Sequence, residues 1–445
     1  MALRLGSTVC TEKTCTARKS SANNFSILRA GLFETRRTGP VQHINQELLV
    51  VEEGRAKILV GKDVFYNPVQ CFNRDISILV AKTFAEVRRT EFEQKQQKKI
   101  FSSQHVATSV ETDGRPLKAK RMESQSTEEK KFAGLACLDA LSASGLRGLR
   151  YFLEVPYVRE VAVNDFDEHA VESAKRNATL NRIPPERFEV HCGDASFFMY
   201  ERAIAQKSFD IIDLDPYGTA APFLDAALNA ICDGGMLGVT CTDMGVLAGN
   251  HPGTCYSKYG CIPQKAKYCH EMAIRILLGS IAQHAGRQEK VIIPLVSISV
   301  DFYVRCFVRV FHSPVRAKAL PCALGNQNEQ ELNNSNEIIQ SVLNEDELKE
   351  GRNEVDFRTK KRIQGILGIQ MRELQDIPLI YSYGDLCGFF RIKQYPIALF
   401  ISYLLCQGYR VSQFHTDGLY VKTDAPPRIV FEFFIIQVMR LDEDV

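Results

Sequence analysis

The sequence predicts an α/β protein: a doubly wound, mainly parallel sheet finished by an antiparallel hairpin, with a smaller α+β part after it. Three features carry that prediction. Between residues 135 and 284, five short apolar runs alternate with five helix-period segments, the pattern of successive β-α units. Residues 291–299 and 302–311 are long alternating runs separated by Val300-Asp301, so they pair as a hairpin at the antiparallel edge of the sheet. Finally, carboxylates recur in or just after four successive strand patterns, at Asp139, Asp165, Asp194 and Asp215. Open sheets of this kind bind ligands outside the carboxyl ends of their strands, and a desolvated carboxylate destabilises a protein unless something pairs with it.

The 445 residues leave room for a large catalytic domain and a smaller second one. A net charge of only +2 confines any nucleic-acid binding to local patches. No apolar run approaches the ~20 residues of a membrane-spanning helix. Several of the fourteen cysteines (Cys137, Cys192, Cys241, Cys306, Cys406) sit inside apolar patterns, as the reduced thiols of intracellular proteins do. There is no C-x-x-C pair, and the spacing of Cys255, Cys261, Cys269 and His270 matches no structural zinc pattern, so no metal is predicted.

Residues 1–40 read as a disordered basic leader. Arg4, Lys13, Arg18, Lys19, Arg29, Arg36 and Arg37 stand against Glu12 and Glu34, among many Ser and Thr. Mitochondrial transit peptides and plain basic tails share that composition. The catalytic domain is expected over 41–312. Leu48-Leu49-Val50-Val51 and residues 56–60 are strand-like, and Val64-Phe65-Tyr66-Asn67-Pro68-Val69 precedes a helix pattern through Ile76, Leu79, Val80, Phe84 and Val87. At the start of that helix, Arg74 and Asp75 read most simply as an ion pair with a cap. Residues 93–131 are polar and charged and predict a flexible insertion, in which Lys118, Lys120 and Arg121 suit a solvated loop, a nuclear address or a phosphate contact.

The first strand, 136–141, passes through Ser142-Ala143-Ser144-Gly145 into a helix over 146–154. This loop is not G-x-G-x-x-G, which disfavours a dinucleotide. Small residues at a helix N-terminus accommodate a carboxylate, and the methionine end of S-adenosyl-L-methionine fits that description better. Asp165 ends the second strand, where a ribose hydroxyl pair would be held. Asp194-Ala195, after the third strand, offers a side chain and a backbone group to an adenine amine and ring nitrogen. The fourth run, Phe209-Asp210-Ile211-Ile212-Asp213-Leu214, breaks abruptly into Asp215-Pro216-Tyr217-Gly218. There the carboxylate and the Pro216 carbonyl can accept hydrogen bonds from an exocyclic amine while Tyr217 stacks on the flat base that carries it. A fifth strand over 236–241, a loop and a helix over 269–284 complete the series.

Taken together, several pieces resemble the tRNA (guanine26-N2)-dimethyltransferase family. They are Phe65-Tyr66-Asn67-Pro68, Phe72-Asn73-Arg74-Asp75, Asp139-Ala140-Leu141-Ser142-Ala143-Ser144-Gly145-Leu146-Arg147 and Asp213-Leu214-Asp215-Pro216-Tyr217-Gly218. Cys241-Thr242-Asp243-Met244, Cys255-Tyr256-Ser257-Lys258-Tyr259-Gly260 and Val421-Lys422-Thr423-Asp424-Ala425-Pro426 extend the match. The resemblance implies a Rossmann-like methyltransferase sheet that uses S-adenosylmethionine to methylate N2 of guanosine 26 in tRNA, giving N2-methyl- and N2,N2-dimethylguanosine. It implies donor contacts at Arg74, Arg147, Asp165, Asp194 and Ala195, which turns Arg74 from an ion-pair residue into a donor ligand. Catalysis would fall to Asp215, Pro216 and Tyr217. Acceptors at Asp215 and Pro216 would localise the N2 lone pair for in-line displacement, after the guanine has left its stack. Two other readings stand beside this one: an amino-methyltransferase acting on another planar amine, and a non-catalytic tRNA-binding or chaperone protein with a vestigial donor site. Nucleus and mitochondrion are the expected locations, with the cytosol allowed; no membrane and no obligate protein partner are expected.

After His312 the family leads one to expect a cysteine-rich stretch and a Trp-containing segment, whereas residues 313–357 read as an acidic, Asn-rich linker and the sequence has no Trp. Residues 358–445 then predict an α+β tRNA-binding domain. Helix patterns at 383–390 and 396–407 precede strands at 409–415 and 419–422 around Thr416-Asp417-Gly418, a winged-helix-like order. Arg391, Lys393, Arg410 and Lys422 are its candidate phosphate contacts, with solvated surface charge as the alternative for each.

Overall fold

The computed structural model describes residues 49–60, 66–108, 131–323 and 357–443, all within one compact unit from Glu47 to Val445. An antiparallel hairpin, β1 (Leu49–Glu53) and β2 (Ala56–Val60), leads to the long helix α1 (Cys71–Thr108). The central sheet contains β3 (Leu135–Asp139), β4 (Val158–Asp165), β5 (Phe188–Cys192), β6 (Phe209–Leu214), β7 (Ile231–Cys241), β8 (Lys290–Val300) and β9 (Tyr303–His312). Its seven strands run in the order β5-β4-β3-β6-β7-β9-β8. The first five are parallel, and β9 pairs antiparallel with both β7 and β8. This is the doubly wound sheet with a terminal hairpin that the sequence predicted.

Every residue of β3 is buried, as a strand covered by helices on both faces requires. One apolar cluster, with Phe72, Ile76, Leu149 and Val163, fills one face of the sheet. A second, with Leu138, Phe198, Ile212 and Leu277, fills the other. Strand order reverses at β3: β4 and β5 lie on one side of it, β6 and β7 on the other. The crevice for a ligand therefore opens above the carboxyl ends of β3, β4 and β6. Helices α2 (Leu146–Glu154), α3 (Glu168–Leu180), α4 (Ala195–Ile204) and α5 (Leu224–Ala230) follow β3 to β6 in turn.

Three expectations need correction. Helix α1 runs on to Thr108, so residues 93–108 of the predicted insertion are helical; residues 109–130 lie outside the described part. An Arg89–Glu93 pair one turn apart supports the start of this continuation, and residues 93–98 are mostly exposed, as their polar composition suits. Strand β7 begins at Ile231 rather than 236, and it reaches its straight pairing with β6 only past a register shift near Gly234, whose φ of 74° is left-handed. The stretch after β7 is not a plain loop, because it carries α6 (Met244–Leu247) and α7 (Pro252–Tyr259) before α8 (Cys269–Arg287).

Beyond β9 come α9 (Pro314–Ala323) and then α10 (Lys360–Gln370). The C-terminal part follows with β10 (Tyr381–Ser382), α11 (Tyr383–Phe389), α12 (Ile397–Cys406), β11 (Val411–Phe414), β12 (Asp417–Thr423) and α13 (Pro427–Glu443). Its two helices and hairpin come in the expected order; α9, which makes residues 314–323 of the predicted 313–357 linker helical, α10 and α13 were not foreseen. Tyr383, Phe400, Phe433 and Phe434 form its own core. It is joined to the sheet by buried charge. Lys422 Nζ lies 3.1 Å from Glu271 Oε1 on α8 and 2.9 Å from Glu373 Oε1, and His415 Nδ1 is 2.9 Å from Glu373 Oε2. The Ser299 amide donates to His415 Nε2 at 3.2 Å, and Gln370 donates to the Ser297 carbonyl at 2.7 Å. Lys422 is therefore a buried tie, not the phosphate contact its charge suggested. Arg391 and Lys393 are exposed, while Arg410 pairs with Asp376 and Asp424.

Candidate active site

Strand β6 delivers Asp215 to the crevice because its apolar residues are buried as far as Leu214 and Pro216 then ends the pairing. The turn that follows is held by backbone. Gly218, at φ 83°, donates its amide to Thr242 Oγ1 at 2.8 Å, and its carbonyl accepts the amides of Thr242 at 2.7 Å and Asp243 at 3.3 Å. Pro216 is buried, while Tyr217 is 79% exposed at the mouth. Burial, then the charges of Asp165 and Asp215, raise the Tyr217 phenol above its ordinary value, so its ring lies within electrostatic reach of both strand ends.

Beneath Asp215 lies a buried ionic network. The Arg147 guanidinium donates to both oxygens of Asp213 at 3.1 Å and also pairs with Asp215. Asn73 on α1 donates to Asp215 at 3.4 Å and accepts from Arg147 at 3.3 Å. Asp213 further accepts from Arg305 on β9 and from the Tyr151 hydroxyl, each at 2.5 Å. Burial alone would drive the Asp213 carboxyl upward, but Arg147 and Arg305 outweigh it and hold it below the usual carboxylate range. Asp139, on the neighbouring strand, is treated differently. Burial pushes it up to about 7, with Arg147 opposing and Asp213 and Asp215 adding to the rise. It accepts the Gly148 amide at 3.1 Å.

The expected donor residues divide. Asp165 ends β4 as predicted, and its Oδ2 accepts the amide of Ala143 at 2.7 Å. Ala143 itself is left-handed at φ 46° and Gly145 at φ 74°, so the loop before α2 is a tight turn whose backbone is bound to Asp165. Asp194 is exposed and caps α4 through the Phe197 amide at 2.9 Å, with Ala195 buried beside it. Arg74 is drawn away from the crevice. Glu53 on β1 accepts from its Nε and Nη2 at 2.6 Å each, and the Asn67 carbonyl accepts at 3.1 Å. This is the ion-pair arrangement read from the residues alone, although the partner is Glu53 and not Asp75; Asp75 pairs instead with Arg150 at 2.7 Å.

Among the described residues, the metal-ligand-type cluster Glu53, Cys71 and Asp75 is occupied by those arginines, and burial pushes the Cys71 thiol up to about 12. A protonated thiol among ion-paired carboxylates is a poor metal site. Sequence reasoning missed Asn73, Asp213 and Arg305. Asp213 had a signal, since a carboxylate inside an apolar strand demands a buried cation; Arg305 becomes its partner only through the β7–β9 pairing.

A doubly wound sheet with this strand order, acidic strand ends around one crevice and an Asp-Pro-Tyr-Gly turn facing it defines the class of Rossmann-like methyltransferases. The model of the family described as N2,N2-dimethylguanosine tRNA methyltransferase matches residues 46–328 and 330–435. The chain belongs to that family. The match extends past His312, so much of the stretch that looked foreign lies inside it. The tRNA (guanine(26)-N(2))-dimethyltransferase of Drosophila melanogaster is 35% identical over 445 residues, covering 86% of this chain and 75% of that protein. The protein of that name from Caenorhabditis elegans is 35% identical, covering 87% and 80%. A Saccharomyces cerevisiae relative, named as mitochondrial, is 32% identical, covering 86% and 78%. The structure of Trm1 from Pyrococcus horikoshii with S-adenosyl-L-methionine superposes with a TM-score of 0.67 at 28% identity, covering 88% of this chain and 99% of that one.

Proposed function

We propose that this protein transfers methyl groups from S-adenosylmethionine to N2 of guanosine 26 in tRNA, with Asp215, Pro216 and Tyr217 as the catalytic turn. The observation that carries the reading is the clamp on Asp215. Arg147 and Asn73 both donate to its carboxylate and fix it at the mouth of the crevice. There it would accept the hydrogens of a guanine amine together with the Pro216 carbonyl, drawing the N2 lone pair out of the ring. Tyr217, exposed beside it, gives an extruded base a face to stack on.

Asp165, Asp194 and Ala195 lie where a nucleoside donor would be held, and the Asp165-bound turn before α2 lets backbone approach a small anion. We assign the carboxylate end of the donor to Arg147 at the start of α2, together with Arg74, which would exchange its pair with Glu53 for the donor. When bound, S-adenosylmethionine supplies an electrophilic methyl on a sulfonium. Residues 358–445 are proposed to dock tRNA, with exposed Arg391 and Lys393 as contacts. The named mitochondrial relative and the basic residues of 1–40, which lie outside the described part, favour mitochondrial delivery alongside a nuclear pool.

The test is transfer of labelled methyl to an unmodified tRNA transcript and to one carrying adenosine at position 26. Labelling of the first alone, abolished by Asp215→Ala with donor binding intact, is expected. Equal labelling of both transcripts would overturn the position, and full activity of the variant would overturn the assignment of the turn.

A further inference from the structure

The backbone bonds that hold Gly218 stop at Gly218, and left-handed glycine is a soft place in a chain. Tyr217, whose ring must be aimed, is largely exposed on one side of it. On the other side Thr219 is tied by a partly buried chain of hydrogen bonds. The Thr219 hydroxyl donates to the hydroxyl of Tyr259 at 2.6 Å, and that phenol donates to Asp243 Oδ1 at 2.7 Å. Lys258 Nζ holds the other oxygen of Asp243 at 3.1 Å. Thr219 Oγ1 also accepts the Ala221 amide at 3.2 Å. Tyr259 is the last residue of α7 and is 2% exposed. Burial pushes its phenol well above the ordinary value, so the hydroxyl stays a donor at any working pH.

We propose that Tyr259 is a positioning residue for the reaction, its hydroxyl coupling Asp243 at the end of β7 to Thr219 and so setting the aim of the Asp215–Gly218 turn. The inference rests on the reading of that turn as catalytic. Asp243 grips the turn twice: its amide donates to the Gly218 carbonyl, and its carboxylate reaches Thr219 through the phenol. Without the second grip the turn pivots about Gly218. A ring that only filled core volume would not need its hydroxyl, which makes Tyr259→Phe the discriminating change.

The experiment compares the full chain with Tyr259→Phe, Thr219→Val and the double variant in methyl transfer to an unmodified tRNA transcript, alongside donor affinity. Each single variant is expected to lower kcat roughly tenfold or more, since small misplacements of reacting groups carry penalties of that size. Donor affinity stays within about twofold, the mark of an interaction that acts on turnover and not on donor binding. The double variant loses no more than the worse single one, because both cut the same link. Unchanged kcat, or losses that multiply in the double variant, would overturn the proposal. Thr219→Val cuts the link from the other end and decides the matter if Tyr259→Phe does not fold. Asp215→Ala, run in parallel, separates the two claims: if it retains transfer, the reading of the turn fails and takes this inference with it. If it is inactive while Tyr259→Phe is unimpaired, only the brace is lost.

Discussion

Arg147 and Asp215 are joined by a direct ion pair across the crevice, the one at the start of the helix after β3 and the other at the end of β6. The same guanidinium binds Asp213, two residues earlier on the strand, from beneath. The residue that presents the proposed catalytic carboxylate is thus built into the floor of the site, and the ends of β3 and β6 are tied together through one charge.

Arg147→Met should therefore act first on the fold. It leaves Asp213 with Arg305 as its remaining cation and Asp215 with Asn73 as its remaining neutral partner, and breaking a buried pair from one side costs about 3–5 kcal/mol. Urea denaturation checks the loss, and isothermal titration with the donor checks its cause. Lost stability at unchanged donor affinity makes Arg147 a positioning residue, whereas retained stability with donor affinity abolished makes it a direct donor ligand.

Asp139 predicts a pH dependence. Its carboxyl rises from an ordinary 3.8 to about 7 in the fold, so between those values the folded state holds a proton that the unfolded chain has released. Stability then falls as pH rises through that window and is level above it. Asp139→Asn removes the titration while keeping an acceptor for the Gly148 amide. The variant should gain on the parent progressively from about pH 4 to about pH 7, by a few kcal/mol in all. Parallel stability curves for the two proteins across that range would refute the burial argument.

Tyr217 separates stacking from chemistry. Tyr217→Phe keeps a ring and should retain most activity, while Tyr217→Ala should lose about 1–3 kcal/mol of interaction with the base. Donor affinity is expected to be the same in both. Steady-state kinetics on a tRNA transcript read the difference, and equal activity of the two variants would remove stacking from the account.

Lys422→Met tests the tie between the C-terminal part and the sheet. Glu271 and Glu373 would lose a shared buried cation, at a penalty of about 3 kcal/mol. In the parent, burial works against the Glu373 carboxylate but His415 and Lys422 hold it below its ordinary value, so it contributes stability at neutral pH. Limited proteolysis between Met371 and Tyr383 should quicken while tRNA affinity of the folded fraction stays the same. Unchanged stability with weakened tRNA binding would restore Lys422 as a phosphate contact.

The sheet was legible because its evidence is local. Runs such as residues 209–214 are apolar at strand length, and breaks such as Asp215-Pro216 and Ser142-Ala143-Ser144-Gly145 lie at consecutive strand ends. Helices α2 and α3 begin and end where periodicity puts them. Polar composition misled at residues 93–108, since a solvated helix face and a flexible segment are built from the same residues. At Lys422 charge misled for a related reason: a lysine in a strand pattern reads as surface until the acids facing it are known.

The order of residues was enough to place Asp165, Asp194 and Asp215 on one edge of a sheet, because β-α repetition and the handedness of crossovers leave no other edge for strand ends. It could not say what would face them. Arg74 turned to Glu53 and Arg147 to Asp213 and Asp215, while Arg305 arrived from a strand ninety-two residues beyond Asp213. Partners of that kind are chosen when folding removes water from every charge at once, and each charge must then be matched by whichever groups the packing brings within hydrogen-bond reach.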